Sequence, residues 1–302
     1  MTLHIGVDIG GTKIAAGLID SDRPRNVLTQ VRTDTPPEGV LDRVAGVIAE
    51  LLERADAPVS TIGVGAPGVI DPDAGTVISA GPTMPGWAGT PIAATLHERF
   101  GLPVAVHNDV RIMGLGEIVY GAGAQGARWS SVLFVSLGTG VGGALVRDGA
   151  LVASPHCTAG ELRRLICRDP ALIDASGVAV IEEVASGPAL TRALARATGR
   201  DEDLRAALVR HSGGDDKVRA VLDAHLHAAG EAIGGLITAI DVEAIVLGGG
   251  VGMIGEAIRR PFAEGVRTGA IAPVNTIPVV HATLGTNAPL IGAAHYGATH
   301  SH

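Results

Sequence analysis

Three short runs of apolar residues in this chain each end in a cluster of glycines. Runs of this length, bounded by glycine, are typical of buried β-strands. After the first two clusters a second apolar segment follows, at residues 14–19 and 144–146, so we predict a strand, a glycine turn and a strand at both places. The three runs cover residues 5–9, 131–137 and 244–247, and the glycines that follow them are Gly10 and Gly11, Gly138 and Gly140, and Gly248, Gly249 and Gly250.

The rest of the chain shows an alternation of periodic and short apolar segments, which predicts helices and strands in turn. The predicted helices cover residues 39–54, 189–198, 204–210, 228–240 and 288–299, and the further predicted strands cover residues 61–64 and 104–107. Residues 212–216 are polar and glycine-rich, and we expect a solvated turn there. This order of elements indicates an α/β protein.

The glycine turns are candidate phosphate-binding loops, because such a turn can point its backbone N–H groups at an anion. In the first turn Thr12 adds a hydroxyl donor and Lys13 adds a cation, while Asp8 at the strand end is placed to hold Mg²⁺ or its water shell. The turn is neither a Walker loop nor a dinucleotide fingerprint, since its strand leads into another strand and not into a helix. An ordinary hairpin turn with a structural Asp8 is the alternative, and the presence of three such clusters favours phosphate binding.

Asn108 and Asp109 follow the predicted strand 104–107. A carboxylate at a strand end can accept the proton of a substrate hydroxyl, and such general-base catalysis is worth about 10²–10⁴ in rate. An Asn-Asp pair is also common as a turn cap at strand ends. Together with the glycine turns, the pair predicts a catalytic base at Asp109.

Composition excludes several classes of protein. A chain of 302 residues forms one large or two medium domains. Its net charge is −8 and it has no long basic run, which argues against nucleic acid as a partner. Cys157 and Cys167 are its two cysteines and form no CxxC pair, which favours a reducing, cytoplasmic location. No signal-peptide pattern is visible and segment 228–240 is too short for a membrane span, so we expect no membrane partner.

These motifs resemble those of the ROK family of sugar kinases, which belongs to the actin/hexokinase/Hsp70 superfold. The resemblance implies an α/β protein with the two-domain actin-like ATPase (ribonuclease H-like) fold and an interdomain active-site cleft. It implies a small domain of residues 1–110 plus 288–302 and a large domain of residues 111–287. The matching segments, in the family's order, are residues 8–13, residues 108–109, residues 137–142, residues 160–161, Glu182 with residues 185–187, and residues 248–250.

The resemblance also implies a role for each motif residue. Asp109 would be the catalytic base, and Asp8 would hold Mg²⁺ through water. A surface charge is the alternative for Lys13, and a solvated helix charge is the alternative for Glu161 and Glu182. The implied ATP-binding residues are Asp8, Gly10, Gly11, Thr12, Lys13, Gly138, Thr139, Gly140, Gly248, Gly249 and Gly250. The implied sugar-binding residues are Gly68, Thr83, Asn108, Asp109, Glu161 and Glu182.

One feature of the family is missing from this sequence. Many members bind a structural zinc ion with one His and three Cys between the two sugar-binding glutamates. Alignment on Glu161 and Glu182 places Arg164 at the His position and Ile173, Ala175 and Val180 at the three Cys positions. None of these side chains binds zinc, so we predict a protein without zinc.

The implied function is the ATP-dependent transfer of a phosphoryl group to the 6-hydroxyl of a glucose-type hexose. An amino sugar such as kanosamine, glucosamine or N-acetylmannosamine, or fructose, is an alternative substrate, and polyphosphate is an alternative donor. A non-catalytic, sugar-sensing regulator is the alternative from another class. We expect no helix-turn-helix domain before the first loop, because that loop begins at Asp8. A homodimer is expected from the family.

Overall fold

The computed structural model describes residues 1–81, 84–124, 129–170 and 178–300. Up to residue 124 the elements are β1 (Leu3–Ile9), β2 (Lys13–Asp20), β3 (Val27–Asp34), α1 (Val40–Glu53), β4 (Val59–Ala66), β5 (Val69–Asp71), β6 (Thr76–Ser79), α2 (Ile92–Phe100), β7 (Val104–Asn108) and α3 (Asp109–Tyr120). From residue 129 they are β8 (Ser131–Leu137), β9 (Val141–Arg147), β10 (Ala150–Leu151), β11 (Ile166–Arg168), β12 (Val178–Val180), α4 (Ile181–Ala185), α5 (Gly187–Thr198), α6 (Leu204–Ser212), α7 (Asp216–Ile240), β13 (Ala244–Gly248), α8 (Gly249–Gly252), α9 (Glu256–Gly269), β14 (Val279–His281) and α10 (Ala288–His300).

Two five-stranded sheets organise the fold. The first has the order β3-β2-β1-β4-β7, with β1 antiparallel to β2 and parallel to β4. The second has the order β10-β9-β8-β13-β14, and β13 runs parallel to both β8 and β14. When the strands of each sheet are numbered along the chain, both sheets have the order 3-2-1-4-5. The predicted α/β class is therefore confirmed, with the same strand order in both sheets.

The chain divides into two compact units, each made of separate segments. The first contains Met1–Arg128, Ala144–Ala159 and Thr283–His302, and the second contains Trp129–Gly143 and Gly160–Ala282. Helix α3 belongs to the first unit because it packs on α10 and β4. The domain boundaries expected from the sequence, 1–110 with 288–302 and 111–287, stay a prediction.

Helix α10 packs closely on the first sheet because glycines face it. A Cβ atom added to Gly63 of β4 would lie 1.7 Å from the carbonyl oxygen of Ala293, and one added to Gly6 of β1 would lie 2.0 Å from that of Leu290. On α1, Val44, Ile48 and Leu51 are buried and share one face of the helix at helical spacing. Each large aliphatic side chain buried in this way contributes about 1.5–3 kcal/mol.

Helices α7 and α9 of the second unit also approach through glycines. A Cβ atom on Gly230 would lie 2.1 Å from the carbonyl oxygen of Phe262, and one on Gly265 would lie 2.0 Å from that of His227. Only glycine allows backbones to come this close. This packing is the structural counterpart of a composition with 43 glycines and 2% aromatic residues.

Most of the predicted elements are confirmed, including the hairpin of β1 and β2, strands β8 and β13, and helices α1, α5, α6 and α10. The prediction for residues 228–240 was too short, because α7 begins at Asp216. The Asp215 side chain accepts hydrogen bonds from the backbone N–H groups of Lys217 and Val218, at 3.0 and 3.2 Å, and caps the helix there. Within the described ranges, no helix has both the length and the apolar character needed to cross a membrane.

Candidate functional site

The first glycine turn joins β1 to β2 and is stabilised by hydrogen bonds from the residue that follows β3. The backbone N–H of Gly10 donates to the carbonyl oxygen of Lys13 at 2.8 Å and closes the hairpin. Thr35, one residue past β3, donates its hydroxyl to the Gly10 carbonyl at 2.6 Å and its backbone N–H to the Thr12 carbonyl at 3.0 Å. Gly11 and Thr12 remain exposed. The turn is therefore fixed in shape and presents its tip to solvent, as an anion-binding loop requires.

Lys13 lies at the exposed end of β2 and forms an ion pair with Asp34 of β3. This pair lowers the pKa of the Asp34 carboxyl, mainly through the hydrogen bond from Lys13. Both side chains are solvated, so the pair adds little to stability. Because its charge already has a carboxylate partner, Lys13 is the weakest of the predicted phosphate contacts, and that role stays a prediction.

Asp8 is the acidic residue at the end of β1, opposite Ala15 of β2 and Gly65 of β4. It lines a pocket of about 680 Å³ together with Arg32 and Thr286, among others. Burial, and secondarily the charge of Asp109, raises the pKa of Asp8 to about 7, while Arg32 opposes the shift. A cation at this place would stabilise the carboxylate form that burial disfavours.

The residues around Asp8 fit a hydrated Mg²⁺ ion better than a metal held by protein alone. Magnesium is usually bound through one or two carboxylates, with waters and substrate phosphates completing its shell. Among the described residues, no group of three or more His, Cys, Asp or Glu side chains could hold a metal ion. Asp8 is consequently the candidate ligand, and the remaining ligands would be waters and phosphate oxygens.

The Asn108–Asp109 pair lies where β7 passes into α3. The side-chain oxygen of Asn108 accepts hydrogen bonds from the backbone N–H groups of Val110 and Arg111, at 3.1 and 3.2 Å, and caps α3. Its side-chain nitrogen donates to the Gly68 carbonyl at 3.0 Å and to Oδ1 of Asp109 at 2.9 Å. The amide of Asn108 thus holds the Asp109 carboxylate in place.

This arrangement combines the two interpretations of the pair that the sequence left open. Asn108 is a helix cap, and Asp109 is the ordered carboxylate that the cap supports. The amide atoms of Asn108 already have protein partners, so its direct contact with a sugar hydroxyl stays a prediction. Gly68 has a φ of +104°, and a Cβ atom there would lie 2.4 Å from the Ser79 carbonyl oxygen, so the turn that receives the amide requires glycine.

The second glycine turn joins β8 to β9, and Glu182 of α4 lies against it. Oε2 of Glu182 accepts a hydrogen bond from the backbone N–H of Val141 at 3.0 Å. A Cβ atom on Gly140 would lie 2.6 Å from the same oxygen. The Gly138 carbonyl accepts from the backbone N–H of Gly187 at 2.8 Å. The segment around residues 182–187 therefore supports this turn, and Thr139 at its tip is exposed.

The third glycine cluster differs from the first two because it leads from β13 into the short helix α8. Gly249 has a φ of +80°, and a Cβ atom there would lie 2.4 Å from the Leu137 carbonyl oxygen and 2.6 Å from Oγ of Ser136. A Cβ atom on Gly138 would lie 3.8 Å from the backbone nitrogen of Gly250. The second and third clusters are thus neighbours at one end of the second sheet.

Glu161 is the other predicted sugar-binding carboxylate, and it follows Gly160, whose φ is +92°. Its Oε2 atom lies 3.3 Å from Nε of Arg163. Glu161 therefore has a cationic side chain beside it. The sequence neighbour of Glu182 is instead a second acid, Glu183, which is exposed. The Glu161 carboxylate is partly neutralised by a residue that the sequence analysis did not single out.

Several predicted positions carry less information. Thr83 lies outside the described residues, as do Ile173 and Ala175, two of the positions that the resemblance aligned with zinc ligands. Arg164 is exposed and Val180 ends β12. Cys167 is buried, and burial raises the pKa of its thiol to about 12. The absence of zinc stays a prediction.

The sequence model of the ROK family matches residues 4–299, which is nearly the whole chain. The chain belongs to the ROK family.

Similar proteins agree with this assignment. The chain is 30% identical to the glucokinase of Thermotoga maritima over 311 aligned residues, which cover 96% of this chain and 95% of that protein. A ROK hexokinase from Thermus thermophilus has a similar structure, with a TM-score of 0.82, 32% identity and 98% coverage of both chains. A ROK family glucokinase from Streptomyces griseus, solved with glucose and AMPPNP, matches with a TM-score of 0.79 and 31% identity over 98% of this chain and 99% of that one. The actin-like ATPase fold is thereby confirmed, and the assignment of this ROK-family chain as a sugar kinase is supported.

Two groups of predicted residues are brought together in this ROK-family fold. Asp8, Gly68, Asn108 and Asp109 meet in the first unit. In the second unit, the second glycine cluster meets both Glu182 and the third cluster. Sequence reasoning did not single out Arg32, His107 and Arg163, which contact or face these groups. The sequence signal for His107 and Arg163 is their position, because His107 directly precedes Asn108 and Arg163 follows Glu161 by two residues.

Proposed function

We propose that this ROK-family protein is an ATP-dependent hexose kinase that phosphorylates the 6-hydroxyl of a glucose-type hexose. The observation that carries the proposal is the ordered Asp109 carboxylate at the first turn of α3, held by Asn108 and close enough to Asp8 to affect its pKa. A hydroxyl group needs such a proton acceptor before it can attack phosphorus. The relatives that are named glucokinase or hexokinase support a sugar as the acceptor.

Asp109 is the proposed general base. Its carboxylate takes the proton of the 6-hydroxyl while that oxygen forms a bond to the γ-phosphorus, and the bond between this phosphorus and the bridging oxygen of ADP breaks. The N-terminus of α3 favours a negative charge on Asp109 before the proton arrives. In this role the carboxylate would contribute about 10²–10⁴ to the rate.

ATP binding is assigned to backbone groups more than to charged side chains. We propose that the exposed tips of the first two glycine turns donate N–H groups to phosphate oxygens and that the third cluster contacts the nucleoside. Bound Mg²⁺ would neutralise charge on the phosphates, and Asp8 would hold it through water. The proposed ATP contacts are Gly10, Gly11, Thr12, Lys13, Gly138, Thr139, Gly140, Gly248, Gly249 and Gly250.

Sugar binding is assigned to Glu161 and Glu182, together with Gly68, Thr83 and Asn108. A carboxylate has two oxygens, so Glu182 can hold Val141 with one and accept a sugar hydroxyl with the other. Arg163 beside Glu161 supports a neutral hexose over a protonated amino sugar, because the guanidinium repels an ammonium group and offsets the carboxylate. Glucosamine, kanosamine, N-acetylmannosamine and fructose remain the alternative substrates.

The test is a panel of sugars with the purified protein and MgATP, read as ADP release. The proposal expects turnover of glucose or a close relative and a phosphate ester at the 6-position in the product, as determined by NMR. Polyphosphate in place of ATP examines the donor. Turnover of glycerol or acetate without turnover of any hexose would contradict the proposal. Binding of hexose without turnover would favour the sugar-sensing regulator instead.

We also propose a cytoplasmic location, because an ATP-dependent kinase works where ATP is available. The family suggests a homodimer. Light scattering after size-exclusion chromatography would measure the mass in solution, and a mass near the 30.5 kDa of one chain would contradict the dimer.

A further inference from the structure

His107 lies directly before the Asn108–Asp109 pair, at the end of β7, and its ring contacts the backbone of that pair. Nδ1 of His107 accepts a hydrogen bond from the backbone N–H of Asn108 at 2.8 Å. Asn108 in turn donates to Asp109 Oδ1 at 2.9 Å and to the Gly68 carbonyl at 3.0 Å. Asn108 therefore links the imidazole to the carboxylate, with its backbone N–H bonded to His107 and its side chain bonded to Asp109.

The ring itself is held by the last helix. His107 meets Tyr296 of α10 edge to face, with 5.3 Å between the ring centroids and an interplanar angle of 77°. Tyr296 is stacked on His300 at 4.2 Å. Edge-to-face and stacked aromatic pairs contribute about 0.5–1.5 kcal/mol beyond their buried area. Packing against α10 therefore supports the orientation of the imidazole.

The bond to Asn108 requires a neutral ring, because a protonated imidazole has no acceptor nitrogen. Burial, followed by the charges of Arg111 and His300, lowers the pKa of His107 to about 3. The ring is therefore neutral, and Nδ1 is an acceptor, at physiological pH.

We propose that His107 is a positioning residue that fixes the Asn108 backbone and thereby the orientation of the Asp109 carboxylate. This inference rests on the proposed role of Asp109 as the base. In this proposal His107 acts through Asn108 and not directly on the substrate. Its removal should release the Asn108 amide from Asp109 and lower turnover, since a small misplacement of a catalytic group costs up to about 10²-fold in rate.

The test compares His107→Leu, which removes the acceptor, with His107→Asn, whose side-chain oxygen can take the place of Nδ1. We expect kcat to fall roughly 10–100-fold in His107→Leu, with KM for sugar and ATP within about twofold. His107→Asn should recover a large part of the loss. His295→Leu is the matched control, because it removes another half-buried imidazole of the same unit, one bonded to Tyr120 at 2.9 Å and not to Asn108.

A second readout separates positioning from a general loss of stability. The Asn108 side chain donates a hydrogen bond to Asp109, and losing a donor disfavours the charged form of a carboxylate. The acidic limb of the pH profile of kcat/KM should therefore move to higher pH in His107→Leu and stay in place in His295→Leu. The neighbouring charges of Asp8 and Arg111 are the same in both variants.

The outcomes are distinguishable. Near-normal kcat in a folded His107→Leu variant, with an active unchanged protein, would overturn the role of His107 alone. An equal loss of kcat in His295→Leu at an equal loss of melting temperature would also overturn it, because stability would then explain the effect. Failure of the unchanged protein to phosphorylate any sugar would overturn the proposed function and, with it, this inference.

Discussion

The two sheets have the same strand order, but the residues at the ends of their corresponding strands differ in chemistry. Two residues before the first glycine, β1 has the carboxylate of Asp8 and β8 has the hydroxyl of Ser136. The fifth strand of the first sheet, β7, ends at Asn108 and leads to Asp109, whereas the fifth strand of the second, β14, ends at His281 and leads to Ala282. Among the described residues, the ring nitrogens of His281 make no hydrogen bond, and Nε2 lies 3.7 Å from Oε1 of Glu256. Asp8 and Asp109 of the first sheet thus correspond to Ser136 and Ala282 of the second, so the two acids have uncharged counterparts.

This difference suggests that the two sheets have different roles in the proposed reaction. A proton acceptor and a magnesium ligand must carry charge, and both are assigned to the first sheet. Phosphate oxygens can be bound by backbone N–H groups, and the second sheet offers glycines, among them Gly249, which packs closely on Leu137 and Ser136. One strand order can therefore serve two kinds of chemistry, with the residues at the strand ends deciding which.

Removing the proposed base, Asp109, is the strongest test of the contrast between the two sheets. We expect Asp109→Asn to lower kcat by roughly 10² or more, because the amide cannot take the proton. Binding of sugar and nucleotide, measured by calorimetry, should remain close to that of the unchanged protein. Near-normal turnover in this variant would remove Asp109 from the base role.

The charge of Asp8 predicts a pH dependence of stability. Because its pKa is about 7 in the folded protein and about 4 when unfolded, the folded state binds more protons between these values. This contribution to stability is complete below pH 4 and is lost as the pH rises through 7. We expect the unfolding free energy of the unchanged protein, relative to Asp8→Asn, to fall by on the order of 3 kcal/mol from pH 4 to pH 8.

The measurement is denaturant unfolding of both proteins in chelator, at several pH values. A matched variant, Asp22→Asn, removes an exposed carboxylate of the same unit and serves as the control. A constant difference between Asp8→Asn and the unchanged protein would contradict the raised pKa.

A substitution at Gly249 tests the second sheet. Gly249→Ala would place a methyl group 2.4 Å from the Leu137 carbonyl oxygen on a backbone with a φ of +80°. We expect a loss of about 1–3 kcal/mol in the free energy of unfolding. Gly250→Ala is the comparison for stability, since a Cβ atom there meets nothing within 4 Å and its φ is not positive. Equal stability of the two variants would show that the clash is relieved.

Glu161 and Arg163 form an ion pair in the second unit. We expect Arg163→Gln to raise the kcat/KM for glucosamine relative to glucose by about fivefold, the effect of roughly 1 kcal/mol of repulsion. The neighbouring Arg164→Gln, at an exposed position, is the control. An unchanged ratio would remove Arg163 from substrate discrimination.

The smallest expected effect concerns zinc. The resemblance to the family places Arg164, Ile173, Ala175 and Val180 at zinc-ligand positions, so we expect no stoichiometric zinc and no change of melting temperature in a strong chelator. Elemental analysis measures the first and a thermal melt the second. About one zinc per chain, with a lower melting temperature in chelator, would reveal a site that the alignment missed.

The sequence by itself determined the local parts of this protein. Strands, glycine turns, the helix α1 and the Asn108–Asp109 pair follow from apolar periodicity and turn chemistry, which act over a few residues. The order of six motifs then identified the family. These predictions hold because each depends on residues that are close together in the sequence.

Only the tertiary structure decided how these parts support one another. Glu182 holds Val141 from 41 positions away, and Gly249 is required by Leu137, more than a hundred residues earlier. The ring of His107 owes its orientation to Tyr296 near the end of the chain. Such contacts arise from strand order and helix packing, and local periodicity has no information about either. The shared order of the two sheets is hidden for the same reason, because it lies in hydrogen-bond partners and not in a repeated pattern of residues.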